Sequence, residues 1–245
     1  MLFTELNLKK MKNKPKLLIC LYILTAVFAV FTSSCEKEDD LKSDNNSQTF
    51  TDSRDGNVYK TIKIGNQVWM AENLKYLPSI SEPGIMSAEI PTYYVYSYNG
   101  TSLAGAKDSF YYGAYGVLYN WAAANAACPV GWHLPTNEEW NQLADYLGGK
   151  SVAGIKLKET GTGNWQTTST DVTNETGFTA LPGGFRNFDG KFYSAGGRGY
   201  WWSATEGKEL YSAWHIHLSY NASGIGMESF ANVKFAGISV RCVKD

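Results

Sequence analysis

Leu17 to Phe31 is a run of fifteen residues without a charge, and it constrains this chain more than any other feature. At a 1.5 Å rise per residue it reaches ~22 Å as a helix, short of the ~30 Å hydrocarbon core of a bilayer. Lys9, Lys10, Lys12, Lys14 and Lys16 precede it, and small residues follow it. A basic stretch, a short apolar stretch and then small residues are the parts of a secretory signal. Met11 is an alternative start, because Met11 to Phe31 already holds the basic and apolar parts. Whatever follows is expected to fold after export, where cysteines can oxidise.

The small residues end in Thr32-Ser33-Ser34-Cys35. This resembles a lipobox, the segment cut by the bacterial lipoprotein signal peptidase, with Phe31 and Thr32 near where leucine is usual. The resemblance implies that Cys35 becomes the first residue and is acylated on its thiol and amine. Each buried CH₂ contributes ~0.8 kcal/mol, so several chains anchor stably. Glu36-Lys37-Glu38-Asp39-Asp40 comes next and resembles the export signal behind the lipidated cysteine in surface lipoproteins of Bacteroidetes-type bacteria. A run rich in Ser, Asn, Asp and Thr continues to about residue 50 and reads as a flexible spacer. The expected organisation is a signal at 1–34, an acidic and polar tether at 35–50 and one folded domain at 51–245. The expected address is the outer membrane or the cell surface, with the membrane as partner through the lipid anchor.

Composition narrows the domain. The chain has a formal net charge of −1, and its 18% of charged residues form no basic block beyond the signal. A nucleic-acid binder needs clustered Lys and Arg to displace counterions, so nucleic acid is not an expected partner. Eight Trp, sixteen Tyr and 24 Gly point to strands and loops rather than a helical bundle.

Of the four cysteines, Cys20 lies in the signal and Cys35 takes lipid, leaving Cys128 and Cys242. Two cysteines in an exported domain predict one disulfide, against the alternative of two buried thiols. Cys242 alternates with Ile238 and Val240, so on a strand the three share an inward face.

Asp55-Gly56, Gly65-Asn66 and Asp189-Gly190 are hairpin-turn signals. Around the first two, Val58, Ile62 and Ile64 are expected on one strand face, continued by Val68 and Met70. Two helices are expected. The first spans about Val117 to Ala127, with Leu118, Trp121, Ala122 and Asn125 on one side. The second starts at a capping box formed by Thr136 and Glu139 and ends before Gly148. Its stripe of Trp140, Leu143, Ala144 and Leu147 faces the core. The tyrosine-rich stretch from Tyr93 to Tyr119 reads as an inserted loop or a mobile surface hairpin.

These blocks carry a family resemblance. Asp55-Gly56-Asn57-Val58-Tyr59-Lys60, Gln67-Val68-Trp69-Met70-Ala71-Glu72-Asn73-Leu74, Tyr115-Gly116-Val117-Leu118-Tyr119-Asn120-Trp121, Cys128-Pro129-Val130-Gly131-Trp132-His133-Leu134-Pro135-Thr136, Trp201-Trp202-Ser203-Ala204-Thr205 and Val240-Arg241-Cys242-Val243 occur in that order. Together they resemble the Fibrobacter succinogenes major paralogous domain, which implies an exported, often lipidated bacterial protein. The block from Leu134 to Trp140 and the ending at Val240–Val243 also resemble the formylglycine-generating branch of the C-type-lectin-like superfamily. That resemblance implies an α+β fold, with two helices packed on a twisted antiparallel sheet and long irregular loops on one side. The calcium tripeptides of lectins are absent, since Glu82-Pro83-Gly84 and Trp140-Asn141-Gln142 stand in their place.

No nucleophile elbow, zincin motif, phosphate loop or dinucleotide fingerprint occurs. His215 and His217 flank Ile216, so on a strand both rings share a face, but metal needs a third ligand and the sequence offers no obvious one. No metal and no cofactor is therefore assigned. What remains is binding: aromatic rings stack on the C–H faces of sugars while Arg and Asn meet hydroxyls. Trp165, Arg186, Tyr193, Arg198, Tyr200, Trp202 and His215 are the candidate ligand residues, set in Gly-rich segments where loops are expected. For each one, filling the core of a β-rich domain is the competing role. The leading functional expectation is a non-catalytic surface binding module for a glycan or a protein partner. The alternatives are an enzyme of the formylglycine-generating type, with bound copper or iron, and a purely structural or adhesive surface protein.

Overall fold

The computed structural model of the chain describes residues 47–161, 163–167 and 171–245. The signal, Cys35 and the acidic run behind it lie outside the described residues. The elements begin with a meander of β1 (Ser47–Thr51), β2 (Val58–Ile64) and β3 (Gln67–Met70). Next come β4 (Tyr93–Tyr94), α1 (Leu103–Lys107), α2 (Phe110–Tyr115), β5 (Leu118–Tyr119), α3 (Trp121–Asn125) and β6 (Trp132–His133). Two helices, α4 (Asn137–Tyr146) and α5 (Ala153–Leu157), precede the strand-rich remainder. That remainder is β7 (Gly183–Arg186), β8 (Phe192–Ala195), β9 (Arg198–Glu206), β10 (Ala213–Ser219), β11 (Gly226–Ser229), β12 (Ile238–Ser239) and β13 (Val243–Lys244). None of the described helices is long and apolar enough to cross a membrane.

The strands form two curled sheets. The first has the order β1-β2-β3-β13-β6 and takes in residues 47–50, which the sequence places in the tether. The second has the order β11-β10-β9-β12-β5-β4, with the β7–β8 hairpin joined to β9 through a parallel pairing of Gly184 with Gly199. This overturns the expected α+β, C-type-lectin-like arrangement: the domain is mostly β, and its helices are few and short. The second expected helix forms as α4, where Thr136 Oγ1 accepts from Glu139 N and a Glu139 carboxylate oxygen accepts from Thr136 N. The first does not form over its expected length. Leu118 and Tyr119 pair with Tyr94 and Tyr93 on one side and with Ser239 and Ile238 on the other. Asn120 then caps α3, its side chain accepting from Ala123 N, so the helix starts only at Trp121. A spacing that fits one helix face was outcompeted by long-range strand pairing.

The tyrosine-rich stretch is likewise no surface insertion. Tyr94, Tyr115 and Tyr119 are buried, and Tyr119 Oη donates to Tyr76 O at 2.7 Å. In β2 the inward face also differs from expectation, because Val58 is exposed and Tyr59 is buried in its place. Gly65, at φ +60°, makes the β2–β3 turn that its sequence signals.

Two apolar clusters fill the interior. One gathers Tyr59, Met70, Leu74, Tyr119, Trp202, Ile238, Val240 and Cys242. The other gathers Ile62, Trp69, Trp140, Leu143, Phe178, Trp201 and Ile216, and here α4 lays its stripe on the first sheet through Trp140 and Trp69, whose rings are 4.7 Å apart. The segment from Ile238 to Lys244 serves both sheets. Ile238–Ser239 lies between β9 and β5, and Val243 pairs with Trp69 and His133. The inward face expected for Ile238, Val240 and Cys242 is observed, although the segment is two strands rather than one. Cys242 is joined to Cys128, the expected disulfide.

Asn73 holds the seam at Trp201 and Arg241. Its Oδ1 accepts from Trp201 Nε1 at 2.8 Å and from Arg241 Nη2 at 3.0 Å, and its Nδ2 donates to Tyr115 O and Ser239 Oγ. Arg241 is fully buried, with its guanidinium 4.1 Å from the Phe178 ring centroid, and burial brings it down to a pKa of about 9.

Candidate functional site

A pocket of about 200 Å³ opens on one face of the second sheet. That is below the ~300–1,000 Å³ of a site for a drug-sized ligand, and it fits a single ring or the end of a longer ligand. Its strands are β9, β10 and β11, flanked by β7 and the turn at Val233–Phe235. Antiparallel register places the side chains. His215 stands opposite Trp202 on one side and Glu228 on the other, while His217 stands opposite Tyr200 and Gly226. Cross-strand partners share a face, and residues two apart on one strand do as well. Tyr200, Trp202, His215, His217 and Glu228 are therefore on one side of the sheet.

Burial distinguishes floor from rim. His215, at 2% exposure, and the buried Val233, Ala236 and Ile238 form the floor. Phe188, Arg198, Glu228 and Phe230 are exposed at the rim. Between them runs a chain of rings: Phe185 to Tyr200 at 5.0 Å, Tyr200 to His217 at 5.8 Å and to His215 at 5.9 Å, and His215 to Phe230 at 5.3 Å between centroids. Arg198 Nη1 donates to Tyr200 Oη at 3.4 Å.

The electrostatics follow from this packing. Burial, reinforced by the neighbouring His217, pushes His215 down to a pKa of about 4. Burial also lowers His217, with Glu228 pulling the other way and Arg198 adding to the fall. Both rings are thus held toward the neutral form, with a free nitrogen lone pair each. One ring nitrogen of each histidine and a carboxylate oxygen of Glu228 lie within 4.8 Å of one another. Two imidazoles and a carboxylate are a donor set for a divalent transition ion.

Of the seven candidate residues, Arg198, Tyr200 and His215 meet in this pocket. Tyr193 is exposed beside it, its ring 5.8 Å from Phe185 and its hydroxyl donating to Asp189 Oδ2 at 2.6 Å. The other three are core residues. Trp202 is fully buried behind His215 and donates to Tyr119 O at 2.7 Å. Trp165 is buried under Lys158 and donates to Ala180 O at 3.1 Å. Arg186 is buried, and no carboxylate among the described residues forms a salt bridge with it. Its donors go to the carbonyls of Pro83, Ile85 and Phe235, so it clamps two loops to β7. Sequence reasoning missed Phe185, Asn187, Phe188, Glu228 and Phe230. Glu228 has no local signal, because only the register between β10 and β11 brings it to His215.

The comparison with known families covers every block of the family resemblance except Asp55 to Lys60. A family model described as the Fibrobacter succinogenes major domain matches residues 62–244. The chain belongs to that family. The match takes in β3 through β13, and so every strand of the pocket in this Fibrobacter succinogenes major domain. Neither the curated proteins nor the solved structures contain a significant match.

Proposed function

We propose that this Fibrobacter succinogenes major domain is a lipid-anchored, cell-surface binding module whose pocket on β9, β10 and β11 takes the end of a glycan. The observation that carries the reading is the lining itself. Rings of Phe185, Phe188, Tyr200 and Phe230 line it together with polar groups of Asn187, Arg198 and Glu228. Few positions offer both a stacking surface and directional hydrogen-bonding groups, and a sugar ring needs both. The pocket lies on rigid strands, which favours recognition without a large ordering cost. A protein side chain inserted from a partner is the competing occupant. The formylglycine-generating alternative relies on a reactive cysteine pair, and here Cys128 and Cys242 are spent on a cross-link. The anchor rests on Cys35, placed directly behind the apolar run and its small residues.

Two experiments test this. A glycan array probed with the full chain should give a discrete set of bound sugars, and Tyr200→Ala and Arg198→Ala should lose them while the melting temperature holds. An empty array, or binding that survives both substitutions, refutes the glycan reading. For the anchor, metabolic labelling with a fatty-acid analogue should mark the wild type and fail in Cys35→Ala. Labelling that persists in the variant refutes the assignment.

A further inference from the structure

We infer that His215, His217 and Glu228 bind a divalent transition-metal ion at the inner wall of the pocket. The inference deepens the binding reading of the same pocket, but it stands on its own observations. The first is placement. His215 and His217 alternate on β10, and Glu228 faces His215 directly across the β10–β11 pairing. Three donors from two hydrogen-bonded strands are fixed by the sheet, with the two strands about 5 Å apart. Their donor atoms lie within 4.8 Å of one another. Zinc bonds of ~2.0–2.2 Å set tetrahedral donors about 3.4 Å apart, so closure needs a shift of about an ångström. Glu228 is exposed and His217 half-buried, so both side chains have room to make it.

The second observation is an unmet need. Nδ1 of His215 and Nδ1 of His217 are both buried and have no hydrogen-bond partner among the described residues. Buried polar atoms in native proteins are paired with few exceptions, and an unpaired one calls for an explanation. The two rings are 6.3 Å apart, and one nitrogen of each lies within 4.8 Å of a Glu228 carboxylate oxygen. A polar strand face turned to water does not account for a histidine with 2% of its surface exposed. The third is the seat of His217. Its ring lies over Gly226, where a Cβ would overlap the imidazole. Glycine at that position lets the ring approach the strand that carries Glu228.

Two histidines and one carboxylate leave coordination positions open, and these face the pocket. The ion would then offer a hydroxyl or carboxylate of the bound ligand a direct bond. This donor set is separate from the cysteine pair on which formylglycine-type chemistry depends.

The test is calorimetric titration of Zn²⁺ into the full chain, purified in detergent and first stripped with a chelator, together with the visible absorption of its Co²⁺ form. One ion per chain is expected, with ligand-field bands of a low-coordinate nitrogen and oxygen site. Glu228→Gln changes an exposed side chain and should weaken Zn²⁺ by on the order of 100-fold with the chelated melting temperature unchanged. His217→Ala should do the same, and Gly226→Ala should weaken it by displacing the ring. Absence of stoichiometric Zn²⁺ from folded wild type, or unchanged affinity in Glu228→Gln and His217→Ala, overturns the inference. Running the glycan array with chelated and Zn²⁺-loaded chain keeps the two readings apart. Glycan binding without any metal binding refutes the ion alone, and metal binding without a glycan upholds the ion and refutes the proposed occupant.

Discussion

Replacing Asn73 by alanine should be among the most damaging small changes in this domain. The side chain is 3% exposed and uses both lone pairs and both amide hydrogens. Alanine strands the Trp201 indole N–H in a fully buried site, and an unsatisfied buried donor costs about 1–3 kcal/mol. Arg241 keeps its bonds to Phe178 O and Thr179 O but loses a third acceptor, and its Nε already lacks a partner among the described residues. A charged donor deprived of an acceptor costs about as much again, and Tyr115 O loses its amide donor. The sum is about 3–5 kcal/mol, a large fraction of the ~5–15 kcal/mol margin of an ordinary domain. Urea unfolding followed by tryptophan fluorescence measures it, with the disulfide kept oxidised. The cycle with Trp201→Phe supplies the control. Once Asn73 is alanine, removing the stranded N–H should cost at least 1 kcal/mol less than removing it from wild type. A loss under 1 kcal/mol for Asn73→Ala, or strict additivity with Trp201→Phe, would refute the assignment of Asn73 as the seam.

Other outcomes follow from single features. Opening the Cys128–Cys242 cross-link, which spans 114 residues, by a double change to alanine should lower stability by about 5 kcal/mol in the chain-entropy model, read from the urea midpoint. Partial burial alone would lower the pKa of His133, but its hydrogen bonds to Asp245 and Glu139, 2.7 Å each, outweigh this and raise it. Its contribution is therefore complete below the ordinary histidine pKa and disappears as pH rises through the raised one. The midpoint difference between wild type and His133→Phe should shrink on going from pH 6 to pH 9, and a difference that grows instead contradicts the sign. Trp202→Ala should cost about 3–5 kcal/mol by thermal unfolding, whereas Phe188→Ala at the rim should cost under about 1 kcal/mol.

What was legible in the sequence was local. The capping box at Thr136 and Glu139 and the stripe behind it lie within the twelve consecutive residues from Thr136 to Leu147, and α4 formed as they dictate. The disulfide followed from elimination among four cysteines, and the hairpin turns from glycines at positive φ. The second sheet was not legible, because Leu118 and Tyr119 find Ser239 and Ile238 more than a hundred residues away, and helical spacing around Trp121 disguised the strand. The site divides the same way. Alternation put Tyr200 with Trp202 and His215 with His217, and both pairings hold. It could not tell that Trp202 would be sealed beneath the first cluster while Tyr200 stays open, because covering a strand is the work of distant segments. Arg186 and Trp165 misled for a related reason: in a Gly-rich domain, aromatic and cationic side chains also serve as internal struts for loops.

The position of β13 in the first sheet sets an order of events during biogenesis. Val243 joins β3 to β6, so β6 cannot be added to the β1-β2-β3 meander before residues 243–244 are available. A partly synthesised chain holds the meander without the strand that closes it, and its contacts over long sequence separations cannot form early. Such a chain stays pliable until its last residues arrive and close the sheet. The same geometry makes the C-terminus a closing strand: a product truncated before residue 243 lacks the link between β3 and β6 and cannot close its first sheet.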